Sequence, residues 1–138
     1  MTQVAQTALY WGQGFSPMPQ SVGRARREAR SALQDWQVPE DVVDTVVLLI
    51  SELVTNGIRA CPRGRLVHVA LTAGQCSVLL EVSDPSRILP MRVEAGDEDD
   101  SGRGLLLVER LADSSGVRPR PVAGKTVWAR CWWGDEAA

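Results

Sequence analysis

The segment PEDVVDTVVLLISELVTNGIRA, Pro39 to Ala60, constrains the fold more than any other part of the chain. It is among the most apolar stretches and begins with signals of a helix start. Pro39 stands where a proline can open a helix. Glu40, Asp41 and Asp44 follow, and acids favour a helix N-terminus. CPRG after Ala60 supplies the stop. Such a helix must bury its apolar surface, yet near its end it carries Glu52 and Asn56. Positions four apart lie on one face of a helix with ~3.6 residues per turn. The two polar side chains therefore point the same way. A packed core tolerates them only if something polar sits opposite.

The remaining composition narrows the class. A chain of 138 residues suits one domain with one core. The formal net charge is −2, with arginines scattered among acids, so there is no basic footprint for nucleic acid. The longest apolar run, Val46 to Ile50, is too short to span a bilayer. The N-terminal MTQVAQTALYWGQG has neither a charged n-region nor a continuous apolar h-region, and no signal peptide is expected. Cys61, Cys76 and Cys131 are far apart, which argues against a disulfide framework or a zinc site. A reducing, cytoplasmic setting is the simplest expectation, with no membrane and no direct nucleic-acid partner.

Periodicity predicts the other elements. Thr2 to Trp11 alternate loosely, as in an edge strand, and GQGFSPMPQS reads as a turn-rich connection. Between Ser21 and Trp36, Val22, Ala25, Ala29, Leu33 and Trp36 recur at helical steps. RLVHVALTAGQCSVLLEVSD predicts a hairpin turning at AGQ. Val67, Val69 and Leu71 share one face, and Val78, Leu80 and Val82 share another. DPSRILPMRVEAGDEDDSGRG has no sustained period and reads as a long loop of the lid or binding kind, about residues 85–103. Gly104 then opens a short apolar helix. SGVRPRPVAGKTVWARCWW predicts a second hairpin, with Val127, Ala129 and Cys131 on one face and Trp128, Arg130 and Trp132 on the other. Segregated helices and hairpins make the chain α+β, a two-layer sandwich.

Four pieces carry chemical promise, and each alone has a plain structural reading. Glu52 with Asn56 suits a helix end meeting solvent. Asp84 in EVSDPS suits a turn, where aspartate bonds its own backbone. SGRGLLLV suits a flexible helix entry, although its glycines also let a ligand approach free helix N–H groups. AGKTVW suits any hairpin.

Together, and in that order, they resemble the Bergerat-fold ATP-binding domain (the GHKL superfamily) of gyrase-type topoisomerases, heat-shock chaperones, histidine kinases and mismatch-repair proteins. SELVTNGIRA, VSDPS, SGRGLLLVERLAD and GKTVWA look most like its small single-domain branch. That branch holds the anti-sigma-factor serine/threonine kinases and related ATP-binding regulators of high-GC bacteria. The resemblance runs from about Phe15 to Trp132. It implies a mixed, mostly antiparallel sheet covered on one face by helices, and ATP with Mg²⁺ as cofactors. Asn56 would hold Mg²⁺ through a hard amide oxygen. Glu52 would be the general base for the hydroxyl or water attacking the γ-phosphate. Asp84 would accept the adenine amino hydrogen. Gly102, Arg103 and Gly104 would form the hinge of a lid over the phosphates, with Leu105 beside them in the ATP-binding set. Thr126 would sit at the base of the adenine pocket, and Lys125 would reach its mouth.

The sequence departs from the branch at three places. Gly57 replaces the usual alanine after the metal-binding asparagine, at a helix cost of roughly 1 kcal/mol. Ala60 replaces a histidine, and Pro85 a glycine after the aspartate. The resemblance implies a kinase that phosphorylates an anti-sigma-factor antagonist and sequesters a sigma factor, switching partners with nucleotide state. A non-catalytic, nucleotide-dependent interaction module is the alternative, and a degenerate domain without nucleotide is a third. A homodimer is compatible with the arginine-bearing first helix. His68 is expected on a solvent face by strand alternation. Trp128 and Trp132 are expected in packing rather than in a ligand stack, Trp133 at the surface, and the acidic run Asp97 to Asp100 on a solvated lid.

Overall fold

A computed structural model describes residues 8–86, 100–121 and 123–134. Its elements are β1 (Leu9–Phe15), α1 (Gln20–Asp35), α2 (Glu40–Ala60), β2 (Val67–Ala73), β3 (Ser77–Asp84), α3 (Asp100–Leu111), β4 (Ser114–Pro119) and β5 (Lys125–Trp132). The strands form one sheet in the order β1-β2-β3-β5-β4. Every pairing among them is antiparallel, without the parallel pair of a mixed sheet. The α+β sandwich expected from the sequence is the architecture observed.

α2 is the hub. It packs against α1, α3 and the middle of the sheet. Val43, Val46, Leu49, Ile50 and Val54 are fully buried along it, while Asp44 and Leu48 face out. The carbonyl of Pro39 accepts the first helical bond, from Val43 N–H at 2.9 Å. α1 contributes the expected stripe: Ala25, Ala29 and Leu33 are fully buried, and Val22 and Trp36 pack at its edges. Arg30 of α1 reaches Glu40 and Asp44 of α2, both at 3.0 Å, and ties the two helices at their solvent side.

Strand register decides which side chains meet α2. Val69 faces Val82, Leu71 faces Leu80 and Ala73 faces Val78. The two hairpin triads therefore share a single face, the one under the helices, rather than two. Antiparallel partners always point the same way, and both strands have only one core to fill. Val127, Ala129 and Cys131 extend this face along β5.

The opposite face meets solvent, and there the expectation for the tryptophans is corrected. Trp132 is 45% exposed, and the Trp128 indole lies over Gly116, where a Cβ would approach its Nε1 to 2.9 Å. Neither packs under a helix, because their strand neighbours Val127, Ala129 and Cys131 occupy that side. Tyr10 covers Gly12 in the same manner on β1. His68 is exposed, as strand alternation predicted. Trp133, expected at the surface, is instead half-buried against the core; its N–H bonds to Cys76 O at 2.9 Å just beyond the strand end.

Two boundaries differ from the sequence pattern. β1 runs to Phe15, so GQGF belongs to a strand rather than a connection; the Thr2–Thr7 part of the expected strand lies outside the described residues. α3 begins at Asp100, four residues before Gly104. Glycine costs a helix only about 1 kcal/mol, a cost that burial of Val108 against the core can offset. Most of the expected lid, residues 87–99, lies outside the described residues. Among the described residues no helix is long and apolar enough to cross a membrane.

Candidate functional site

The C-terminal half of α2 brings Glu52 and Asn56 to the edge of the core. Both are half-buried, and among the described residues no hydrogen bond or ion pair engages either. The preceding turn binds itself, with Thr55 Oγ1 donating to Ser51 O at 2.6 Å. A carboxylate and an amide thus stand one turn apart on one face, with their polar atoms uncommitted.

Gly57 explains how α2 reaches the sheet. A Cβ there would lie 3.2 Å from Val67 Cγ1 of β2 and 3.9 Å from Asp84 Oδ2 at the end of β3. The missing methyl group permits close approach to β2. It also leaves the space beside Oδ2 open. The loss of helix propensity at this position is exchanged for that proximity.

Asp84 is almost wholly buried, 3% exposed, and its two oxygens have different fates. Oδ1 accepts the Ser86 N–H at 2.8 Å, the local turn bond that aspartate favours. It also accepts from Lys125 Nζ at 3.1 Å. Among the described residues nothing bonds Oδ2. No buried side-chain oxygen or nitrogen there lacks a partner, so Oδ2 opens onto accessible space. The turn reading and the ligand reading of this aspartate are therefore compatible, one oxygen serving each.

Register places Lys125 opposite Asp84 and Thr126 opposite Ser83. Lys125 thus shares the core-side face with Asp84. Thr126 points through the other face, where its hydroxyl is 2.7 Å from Ser83 Oγ. The sequence expectation had Thr126 in the adenine pocket and Lys125 at the mouth. In the structure it is the lysine that lies buried against the aspartate. Period-two alternation sends these two neighbours to opposite faces of the sheet.

Gly124, which precedes Lys125, was not singled out by its motif. It has φ +93°, and a Cβ would lie 2.0 Å from Asp84 O and 2.7 Å from Pro85 Cα. Only glycine fits this left-handed conformation and this approach without strain. The turn into β5 is thereby pressed against the Asp84–Pro85 backbone, which aligns Lys125 with the carboxylate. Glycine immediately before a strand was the available signal. Gly102 and Arg103 fall in the first turn of α3, where backbone N–H groups lack intrahelical acceptors. Gly104 and Leu105 continue that helix.

Burial pushes the Cys61 thiol, just past α2, above its ordinary pKa. The negative charge of Asp84 adds to the rise, and Arg65 opposes it. The field of Asp84 thus extends to the end of the helix that carries Asn56.

An uncommitted amide and carboxylate on α2 and an open acceptor at the end of β3 lie at one end of an antiparallel sheet. A histidine kinase-like ATPase domain matches residues 15–131. The chain belongs to that family. No curated protein is similar enough to the chain to be matched. As a histidine kinase-like ATPase domain of the GHKL type, the chain is an ATP-binding regulatory domain. The residues fit that group. Oδ2 is an acceptor with room beside it, and Asn56 offers an amide oxygen with no competing partner among the described residues. Among the described residues no group of three or more His, Cys, Asp or Glu could hold a metal ion. A magnesium carried on phosphates keeps several waters and does not require such a cage.

Proposed function

We propose that this ATPase-family domain is an ATP- and Mg²⁺-dependent serine/threonine protein kinase of the anti-sigma-factor type, acting by partner switching. The observation that carries the reading is the pair on α2: Glu52 and Asn56 are half-buried, one turn apart and without partners among the described residues. A module that only bound nucleotide would need the amide but not the carboxylate. In this reading Asn56 offers its oxygen to the Mg²⁺ on the phosphates. Glu52 accepts the proton of the partner's hydroxyl. Asp84 accepts from the adenine amino group through Oδ2. The first-turn N–H groups of α3 offer donors to phosphate oxygens. Bound nucleotide supplies the phosphoryl group; the protein's work is positioning and electrostatic stabilisation. The partner is an anti-sigma-factor antagonist that receives the phosphate, a sigma factor that is sequestered, or both.

The test is calorimetric titration with ATP, ADP and GTP, with and without Mg²⁺, followed by phosphate transfer from labelled ATP to a candidate antagonist. Adenine-selective, Mg²⁺-sensitive binding is expected, with transfer lost in Glu52→Ala. Asn56→Ala is expected to lose the Mg²⁺-dependent part of ATP affinity while keeping its thermal unfolding midpoint. Undiminished Mg²⁺-ATP binding in that variant would remove Asn56 from this role. Stoichiometric partner binding without transfer would replace the kinase by a nucleotide-dependent interaction module. That second reading draws on Gly57 and Ala60, the positions at which α2 departs from the branch, and on the acidic run Asp97 to Asp100.

A further inference from the structure

Lys125 takes no part in the phosphate chemistry, yet it is held in a demanding place. Its side chain is 7% exposed, and removing an ammonium from water costs several kcal/mol. An ammonium has three N–H donors. Among the described residues only Asp84 Oδ1 receives one of them. Beside it, Asp84 has one oxygen saturated by Lys125 and Ser86, and the other open. A spare donor and a spare acceptor therefore stand side by side on two largely buried residues, the acceptor facing accessible space. The β3–β5 pairing and the Gly124 turn fix them in relation to each other.

We propose that Lys125 is a base-reading residue: Asp84 Oδ2 accepts from the 6-amino group of adenine while Lys125 Nζ donates to N1 of the same ring. This rests on the ATP reading above and extends it to a second contact. The order of the two groups gives the site its selectivity. Adenine presents a donor at position 6 and an acceptor at N1. A 6-oxopurine presents an acceptor and a donor there, so carboxylate and ammonium each meet the wrong partner. A buried polar group left unpaired by a wrong ligand discriminates far more strongly than a lost apolar contact.

The experiment compares ATP with 1-deaza-ATP, which keeps the 6-amino group and replaces N1 by C–H. Both are titrated into the wild-type chain and into Lys125→Met. The wild-type chain is expected to bind ATP roughly tenfold or more tightly than the analogue, as befits a hydrogen bond to a charged group. In Lys125→Met the two ligands should bind alike. A preference of the same size in both proteins would overturn the proposal, as would a wild-type chain indifferent to N1. Lys125→Met leaves a buried carboxylate without its cation, so a second measurement uses the intact protein. Lys125 is the single lysine of the chain, and ¹⁵N-lysine labelling gives one side-chain amine resonance. That resonance should move on adding ATP and move much less with 1-deaza-ATP. The same response to both ligands would overturn the inference. If ATP binds and N1 is ignored, only the role of Lys125 fails; if neither ligand binds, the ATP reading fails with it.

Discussion

Two ion pairs cross the same sheet on opposite faces. Lys125 of β5 meets Asp84 of β3 on the helix side, with side chains 7% and 4% exposed. Arg118 of β4 meets Glu81 of β3 on the outer side, with side chains 51% and 22% exposed. The residue types are alike, and each pair bridges strands. Their consequences differ because water screens one and not the other. On the outer face either partner can return to solvent. On the inner face neither can, so each depends on the other and any spare hydrogen-bonding capacity is directed at whatever enters. A sheet covered on one side thus turns the same chemistry into surface decoration or into a site.

The contrast breaks most visibly by removing one buried partner. Asp84→Ala should cost about 3–5 kcal/mol in urea unfolding, because it strands a buried ammonium. Pairing it with Lys125→Met should recover much of that loss, since apolar replacement of a whole buried pair is often tolerated. A double variant as unstable as the single would mean that the pair itself stabilises the fold.

Gly124→Ala probes the turn that aligns the pair. Its methyl group would collide with the Asp84 carbonyl in a backbone region unfavourable to alanine, and a loss of about 3 kcal/mol is expected. Thermal unfolding measures this, and an unchanged midpoint would show that the turn can relax.

The helix side also governs a thiol. Burial raises Cys131 of β5 to about 11, from 9.0, with the charge of Asp113 adding to the rise. The thiol stays neutral in the folded chain while the unfolded chain ionises. The stabilisation is therefore fully present below pH 9 and is lost as pH rises from 9 to about 11. Cys131→Ala should flatten that part of the stability–pH curve; an identical slope in the variant would assign it to other groups.

The smallest effect belongs to the outer face. Arg118→Gln should change stability by less than about 1 kcal/mol. A loss comparable to that of Asp84→Ala would erase the distinction between the two faces.

Much of this was legible in the chain. The helical steps of Val22, Ala25, Ala29, Leu33 and Trp36 and the alternation of Val127, Ala129 and Cys131 report a local period that burial obeys. Glu52 and Asn56 share a face because helix geometry gives them no choice. The glycines of SGRG were harder to read, because a break and a helix N-terminus look alike without the packing of Val108.

The sequence by itself determined the element types, the α+β class and the candidate polar residues, since these follow from near-neighbour periodicity and from residue chemistry. Tertiary structure alone decided that Lys125 rather than Thr126 lies against Asp84, that Gly57 opens the space beside Oδ2, and that Gly124 presses the β5 turn onto the Asp84 backbone. Each depends on register or close approach between segments far apart in the chain. A shift of one residue in that register would exchange the faces, and no local pattern records it.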